Sequence, residues 1–598
     1  MRRVLGRDVV PVLVLTALAA LAYSAFALAR HNAWLSGYDL GIFSQSIWHY
    51  AHFEAPISTV KDGINLLGDH FHPIVALLAP LSWIGLEAEG LLVAQGILVA
   101  ASIVPVYVFA RERLDKTPAY AVAVAYACFW GLWSGVGFDF HEVAFAPLLV
   151  ALGILWGHRR QWGRFALAMA GLLLVKEDMT LLVAFFGLWL LTRREWRAGA
   201  ITAVAGLVAY VLVIEVLIPH FGGADFGYWS YDAIGTDLAD AVRNILTEPW
   251  LPFEVALNDR EKVRTIGLML IPFLALPLGS RIFILAIPLI AERMLSTNPN
   301  YWSSLAHYTL PLAPVLAMAA AAGLANLRDR LPERSRRVPV LGVAVAFVVL
   351  GIALNETGSE TINKLRDTRP APAFDEAAGR AVDAVPDDAS VASQDFVYPR
   401  LAARETAELI RTKMVDVDYV VVSPFVLVGR ATGNQSFREL GENLRALLPR
   451  MTPVWFDGGW LVLRRGRHRR AFPPFEPAGR RAVARATREW TRAGVTLGST
   501  LVRCGPDREC VQAAEDSFAA ANARLHRALG RAARQAQGAC GELALQARIA
   551  ASELAHAAMS RDPAALVRAT ERRDAAGRVL VVTELCAPSK PSVRDGRA

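Results

Sequence analysis

Apolar stretches at 9–29, 89–110, 118–136, 143–157, 163–175, 179–192, 198–218, 263–278, 282–291, 303–325 and 338–354 fill most of the first 354 residues. A hydrocarbon core of about 30 Å takes roughly 20 apolar residues in a helix, and fewer where a segment is half-inserted or shielded by neighbours. Backbone groups removed from water must bond within their own segment, so a chain with this many such runs is expected to fold as a helical bundle in a membrane. The pairs 163–175 with 179–192, and 263–278 with 282–291, are short enough to be kinked or re-entrant, so about eleven helices span or half-span the bilayer. Composition agrees: 54% of the 598 residues are hydrophobic and 20% charged, against about 45–50% and about 25% in an average soluble domain. An ordinary soluble enzyme is excluded on that balance.

The formal charge of +8 is unevenly placed. Residues 1–354 hold 26 Lys+Arg against 26 Asp+Glu, and residues 355–598 hold 37 against 29. The chain is thus a neutral apolar body followed by a basic polar tail. Only seven of the 63 basic residues are lysine, an arginine bias that weakens any inference from the positive charge to a polyanionic partner. No zinc-type Cys/His spacing or basic-aromatic array accompanies it, so no nucleic acid is expected as a partner.

Arg2, Arg3 and Arg7 precede the first apolar run, which is read as an uncleaved first helix because ten more follow. With the N-terminus inside, the turns at 111–117, 157–164, 193–197, 279–281 and 328–337 are cytoplasmic, and together with the N-terminus they carry 18 of the body's 26 basic residues, as the positive-inside rule requires. An odd number of spans then places the tail outside, where Cys504, Cys510, Cys540 and Cys586 can form two disulfides by any of three pairings. Trp130, Trp133 and Trp302 near one face, and Trp156, Trp162, Trp189 and Trp196 near the other, are expected to form interfacial belts.

On this topology the ionisable residues that hydropathy would not place beside a bilayer gather on the outer side. They are Asp39 after Tyr38, Asp69-His70-Phe71-His72, Asp139-Phe140-His141-Glu142, Lys176-Glu177-Asp178, Glu215, Arg293 and His307-Tyr308. Ionisable groups at membrane depth are costly and generally face a cavity or a pathway. Two chemistries fit them. His70, His72, His141 and Glu142 are candidate ligands for a divalent metal ion, since imidazole and carboxylate are its common donors. Alternatively, one of Asp39, Asp69 and Asp139 accepts a proton from a hydroxyl nucleophile. No zinc-protease helix, phosphate loop or serine elbow is present.

Five stretches carry a family resemblance: Tyr38-Asp39-Leu40-Gly41-Ile42-Phe43 with Gln45 and Trp48, Gly68-Asp69-His70-Phe71 with Pro73, Asp139-Phe140-His141-Glu142, Lys176-Glu177-Asp178-Met179, and His307-Tyr308 with Pro311. In these the chain resembles domain-of-unknown-function family 2079 of multi-pass membrane proteins, well over 30–325 and more loosely over 372–466. Its architecture further resembles the GT-C class of glycosyltransferases. That resemblance implies transfer of a sugar from a polyprenyl-phosphate donor to an envelope glycan or protein acceptor outside the cytoplasm, at the plasma membrane. It makes Asp39 the catalytic carboxylate, with Asp69 as the alternative base because no adjacent acidic pair accompanies Asp39. Lys176 or Arg293 would neutralise the leaving phosphate. Tyr38, Glu177, Asp178, His307 and Tyr308 complete the expected substrate-binding set. Two competing functions are a transporter or flippase of lipid-linked or small anionic substrates, and a non-catalytic scaffold for envelope assembly. Internal repeat symmetry, the common transporter signature, is not evident.

The tail divides further. Residues 355–466 are expected to form a small α/β domain, with helices at Ala373–Ala384 and Phe437–Leu448 and strands at Ser390–Ser393, Tyr419–Ser423 and Trp460–Arg465. Residues 467–496 read as a basic Pro/Arg linker, and 497–598 as a disulfide-stapled helical domain.

Overall fold

The computed structural model describes residues 9–222, 229–332, 337–354, 372–411, 416–423, 450–457, 460–466, 477–504, 508–535 and the isolated positions 540, 544, 547, 548 and 586. The chain forms two compact units, Met1–Arg369 and Pro370–Ala598. The expected helix at 437–448 lies outside the described residues, as do the side chains of Cys504 and Cys510.

The described residues of the first unit are helix and turn apart from a two-stranded hairpin, Ile57–Ser58 with Ile64–Asn65. Among its described helices, Val9–Asn32, the nearly continuous Ala88–Arg113 and Lys116–Val136, and Trp196–His220 are long and apolar enough to cross a membrane. Four shorter apolar helices, Pro73–Ile84, Glu142–His158, Trp162–Leu173 and Met179–Thr192, stand among them. Helix Val9–Asn32 buries Val12, Ala19, Tyr23 and Ala27 while leaving Val10, Leu13, Leu18 and Leu21 exposed. It therefore presents an apolar outer face, as a lipid-contacting helix does. Helix Leu312–Arg330 is buried from Leu312 through Ala325 and runs through the interior, as an alanine-rich helix apolar on every side should.

Trp196–Leu212 is the opposite case, with only Gly199, Thr202 and Gly206 buried. It lies so close to Met179–Thr192 that a Cβ on Gly206 would stand 2.4 Å from the Ala184 backbone nitrogen. Small residues let two backbones approach where dispersion, rather than the hydrophobic effect, drives association.

Segment 263–278 is broken, as its length suggested. Helix Arg260–Leu270 gives way to the 3-10 turns Ile271–Phe273 and Leu276–Gly279, with Pro272 and Pro277 near their starts and Leu274 and Ala275 at positive φ between them. Segment 303–325 becomes helical only at Leu312, after turns and bends over 303–311. Two of the seven belt tryptophans are a correction: Trp130 and Trp189 are core residues, 2% and 1% exposed, and the Trp130 indole donates to the Leu268 carbonyl at 2.7 Å.

The second unit holds a five-stranded sheet in the order Ala407–Leu409, Val391–Ser393, Tyr419–Val422, Trp460–Arg465, Met451–Asp457. The first three strands are parallel and the last two antiparallel. Helix Pro372–Asp383 packs on the antiparallel edge. The arginine-rich stretch read as a linker is helical from Pro477 to Cys504 and pairs with helix Arg508–Gln535. Trp490 donates to Asn522 at 3.0 Å between these two helices, and Phe518 lies beside its ring. A disulfide joins Cys540 to Cys586, which selects one pairing for those two cysteines.

Candidate functional site

Short apolar helices joined by tight turns carry the chain back and forth, so alternate turns fall at the same end of the bundle. One end receives the arginines. Arg159 pairs with Glu112, its Nε donating at 2.8 Å, and Arg160 donates from Nε to Glu195 at 2.6 Å. Arg281 donates to the Thr192 carbonyl at 2.7 Å, and Asn326 donates to the Gly279 carbonyl at 3.0 Å. These contacts bring the turns after Arg113, His158, Thr192 and Gly279 to one place, which is the grouping of basic turns expected from the sequence.

The other end receives the acids and imidazoles. The turn after Val9–Asn32 leads into helix Tyr38–Ala51, with Asp39 in its first turn. The fastening of this turn is visible: Asp139 accepts from the Gly37 backbone N–H at 2.8 Å and lies 3.8 Å from Arg30, which itself donates to the Leu35 carbonyl. Asp139, expected as a candidate base, is 2% exposed and committed to this fastening. Gln95 accepts from the His141 backbone N–H at 3.2 Å and donates to the Gly135 carbonyl at 3.3 Å, fixing the Asp139–His141 segment from a neighbouring helix.

His141 then reaches Asp39, Nε2 to Oδ2 at 3.8 Å, and stacks on His307 with ring centroids 3.6 Å apart. Tyr308 flanks His307 at 4.3 Å and Tyr301 flanks Tyr308 at 5.0 Å. Asp39 keeps 30% of its side chain exposed, unlike Asp139. Burial pushes its carboxyl above the ordinary range, while His141 and Lys61 pull it back and Asp139 adds to the rise. Lys61 also pairs with Asp69, so one ammonium serves both candidate bases.

A second set of side chains surrounds the Lys176-Glu177-Asp178 turn. His70 lies 2.6 Å from Glu177, and Glu177 also accepts from the Phe71 backbone N–H at 3.1 Å. Lys176 meets Glu142 at 3.2 Å. Burial works against the Lys176 charge, but Glu142 and Asp178 outweigh it and hold the ammonium well beyond its usual range. Asp178 lies within electrostatic reach of Glu292, on helix Ala286–Met294. The next residue, Arg293, donates to the Tyr301 carbonyl, the Thr309 hydroxyl and the Ser303 carbonyl at 2.7–2.8 Å. Its guanidinium, expected at a leaving phosphate, is 2% exposed and braces the 301–309 loop.

The residues predicted from sequence therefore converge: Asp39, Asp139, His141 and His307 form one chain of contacts, and His70, Glu142, Lys176, Glu177 and Asp178 form another. Glu142 follows His141 directly and joins the two. The proposed metal ligands do not form a binding set. Among the described residues no group of three or more His, Cys, Asp or Glu side chains is arranged to hold a metal ion. His70 is turned onto Glu177, His72 packs on Phe43 at 5.5 Å, and His141 is stacked on His307. Sequence reasoning missed Lys61, Gln95 and Glu292. Lys61 carried a signal, being one of the few basic residues of the body away from the arginine-rich turns.

These features define a polytopic helical membrane protein with a charged centre at one end of its bundle. The chain belongs to the DUF2079 family of predicted membrane proteins, which it matches over residues 30–451. No curated protein matches it. Among solved structures it is similar to ArnT from Cupriavidus metallidurans bound to undecaprenyl phosphate, at 15% identity and a TM-score of 0.44, over 75% of this chain and 97% of that one. It is likewise similar to the apo state of that protein, at 14% identity and a TM-score of 0.42, over 74% and 97%.

Proposed function

We propose that this protein is a membrane glycosyltransferase that moves a sugar from a polyprenyl-phosphate donor to an envelope glycan or protein acceptor. The observation that carries the reading is the setting of Asp39. It is a partly exposed carboxyl at the start of a helix, with His141 at 3.8 Å and Lys61 within electrostatic reach, at the same end of the bundle as the Lys176 ammonium. A sugar transfer of this kind needs a base for the acceptor hydroxyl and a cation for the phosphate that departs. Asp39 supplies the first, and its raised basicity favours proton acceptance. Lys176 supplies the second, positioned by Glu142. Asp69, paired with Lys61, sets the charge state around Asp39. A donor with a lipid tail also explains why the charged centre lies beside lipid-facing helices.

The arginine-bearing turns then face the cytoplasm by the positive-inside rule, and the acid and histidine end faces out. The Cys540–Cys586 disulfide suits an oxidising compartment for the C-terminal unit. The test is transfer from short-chain polyprenyl-phosphate sugars by protein reconstituted in lipid nanodiscs. Asp39→Asn abolishes transfer while membrane level and unfolding temperature hold. Unchanged envelope glycans in a deletion strain count against the reading.

A further inference from the structure

Residues 238–257 form two short helices, Leu238–Thr247 and Leu251–Leu257. Asp237 caps the first by accepting from the Asp240 N–H at 2.8 Å, and Pro249 stands between the two. Apolar residues recur at 242, 246, 250, 253 and 257, the spacing of one helical face. In the structure all five, Val242, Leu246, Trp250, Phe253 and Leu257, are open, at 48–79% exposure. The Trp250 and Phe253 rings stand together, with centroids 6.4 Å apart. Large apolar side chains grouped on a surface mark an interaction site.

The stripe is not exposed for want of a core. On their other side the helices bury Ala241 and Val255 with Ile234, and Ile245, Leu251 and Leu295 pack against these three. The segment is also tied down. Lys262 donates to the Val255 carbonyl at 2.9 Å, the Thr297 N–H donates to the Ser230 carbonyl at 2.7 Å, and the Ser230 and Ser296 hydroxyls meet at 2.8 Å. These bonds fasten it to the stretch leading into the 301–309 loop, at the charged end of the bundle. The helices therefore cannot roll to hide the stripe.

What covers the stripe follows from the surface it joins. Leu251–Leu257 packs on helix Arg260–Leu270, and from Thr265 to Ser280 the chain has no ionisable residue. This stretch runs from the charged end to the arginine end, where the Gly279 carbonyl accepts from Asn326. On the way it leaves Ile271, Leu274 and Leu278 exposed. An uncharged element that crosses a membrane bundle with apolar side chains open faces lipid. The stripe continues that lipid-facing surface at the charged end. Charge offers no competing partner: residues 238–264 hold four basic against five acidic side chains, with Arg243 paired to Asp240 and Arg264 to Glu261.

We infer that residues 238–257 are an interfacial anchor whose stripe, Val242 to Leu257, enters the hydrocarbon of the leaflet at the charged end. Its partner is the bilayer. An amphipathic helix lies in this way with its apolar face about 5–10 Å into the boundary between headgroups and acyl chains, and tryptophan is enriched at that depth. The inference stands apart from the glycosyl-transfer reading, since it needs only that the chain lie in a membrane.

The test uses the full chain in nanodiscs of phosphatidylcholine brominated on the acyl chains, with unbrominated lipid as the reference. The difference between wild type and Trp250→Phe isolates the emission of Trp250, and an aromatic replacement at so open a position keeps the fold. Trp250 is expected to be quenched by the bromolipid and protected from acrylamide in the water. A second variant, Leu246→Asp with Phe253→Asp, is expected to shift the Trp250 emission to the red and reduce its quenching by bromolipid, with the unfolding temperature in detergent unchanged. Quenching of Trp250 by acrylamide and not by bromolipid overturns the inference. Quenching by neither overturns it too, because protein, such as a second copy of the chain, then covers the stripe. So does a double-aspartate variant that folds and is quenched by bromolipid as wild type is.

Discussion

At one end of the helical unit, charge is handled locally and cheaply. Arg159 meets Glu112, Arg160 meets Glu195, and Arg193 donates to the carbonyls at 157 and 158, each tying one turn to a neighbouring one through a single pair or a backbone carbonyl. At the other end the same kind of turn delivers Asp39, Asp139, His141, Lys176, Glu177 and Asp178 into one shared centre, where Asp139 and Glu177 are 2% and 4% exposed. Desolvating a charge costs several kcal/mol unless partners recover it. A chain that concentrates its most deeply buried charge at one end is therefore carrying a cost that the fold alone does not require, since the basic end joins its turns through pairs that keep more contact with water.

The sharpest way to break this contrast is Asp39→Asn. A general base contributes about 10²–10⁴-fold, so transfer falls by that factor, while unfolding in detergent stays within about 1 kcal/mol because the side chain is partly exposed and fastens no backbone group. The acid limb of the wild-type kcat/KM profile lies above the ordinary carboxylate range, because burial raises Asp39 and the base must be ionised to work. Retained transfer in Asp39→Asn would make this end a scaffold rather than a reactive centre.

Asp139→Ala separates fastening from chemistry within the same end. It orphans the Gly37 N–H and leaves Arg30 without its carboxylate. Removing one member of a buried pair costs about 3–5 kcal/mol, read as a lower thermal unfolding midpoint. If Asp139→Ala unfolds like wild type, the turn that presents Asp39 is held by something else.

Much of this arrangement was legible in the sequence. Apolar run lengths located the helices, Met179–Thr192 to the residue, because a lipid-exposed or core helix must stay apolar until its turn. Arginine placement identified one end and the histidine motifs the other. What composition could not reveal was the partnering: Asp39 and Asp139 look alike in sequence, yet one remains partly open and the other clamps a backbone amide 102 positions away. Arg293 was expected at a phosphate and instead braces a loop, while its neighbour Glu292, unremarked in the sequence, faces Asp178. Nor does spacing warn that Trp130 and Trp189 turn inward, since an interfacial and a core tryptophan sit equally well near a helix end.

Arg159→Ala gives the intermediate effect at the basic end. Arg159 and Glu112 are 13% and 19% exposed, and a charge-assisted bond of this kind is worth about 1.5–3 kcal/mol. The loss appears in unfolding and leaves transfer unaffected, because no part of the charged centre leans on it. A loss of transfer without a loss of stability would mean that the two ends communicate.

Arg160→Ala should matter least. Its side chain is 67% exposed where it meets Glu195, and water screens such a pair to about 0–1 kcal/mol. Its removal shifts unfolding by no more than that, and the shift shrinks further in high salt, where screening has already weakened the pair. Arg159 is the more buried of the two, meets a different carboxylate, and lies in the right-handed region where Arg160 takes a positive φ. A measured order of Arg159 above Arg160 is the order that desolvation predicts, and burial also sets Asp139 apart from Asp39 at the other end. Equal effects for the two arginines would mean that burial does not govern what a charge is worth in this fold, and would remove the ground for reading the buried centre as anything more than a set of well-packed turns.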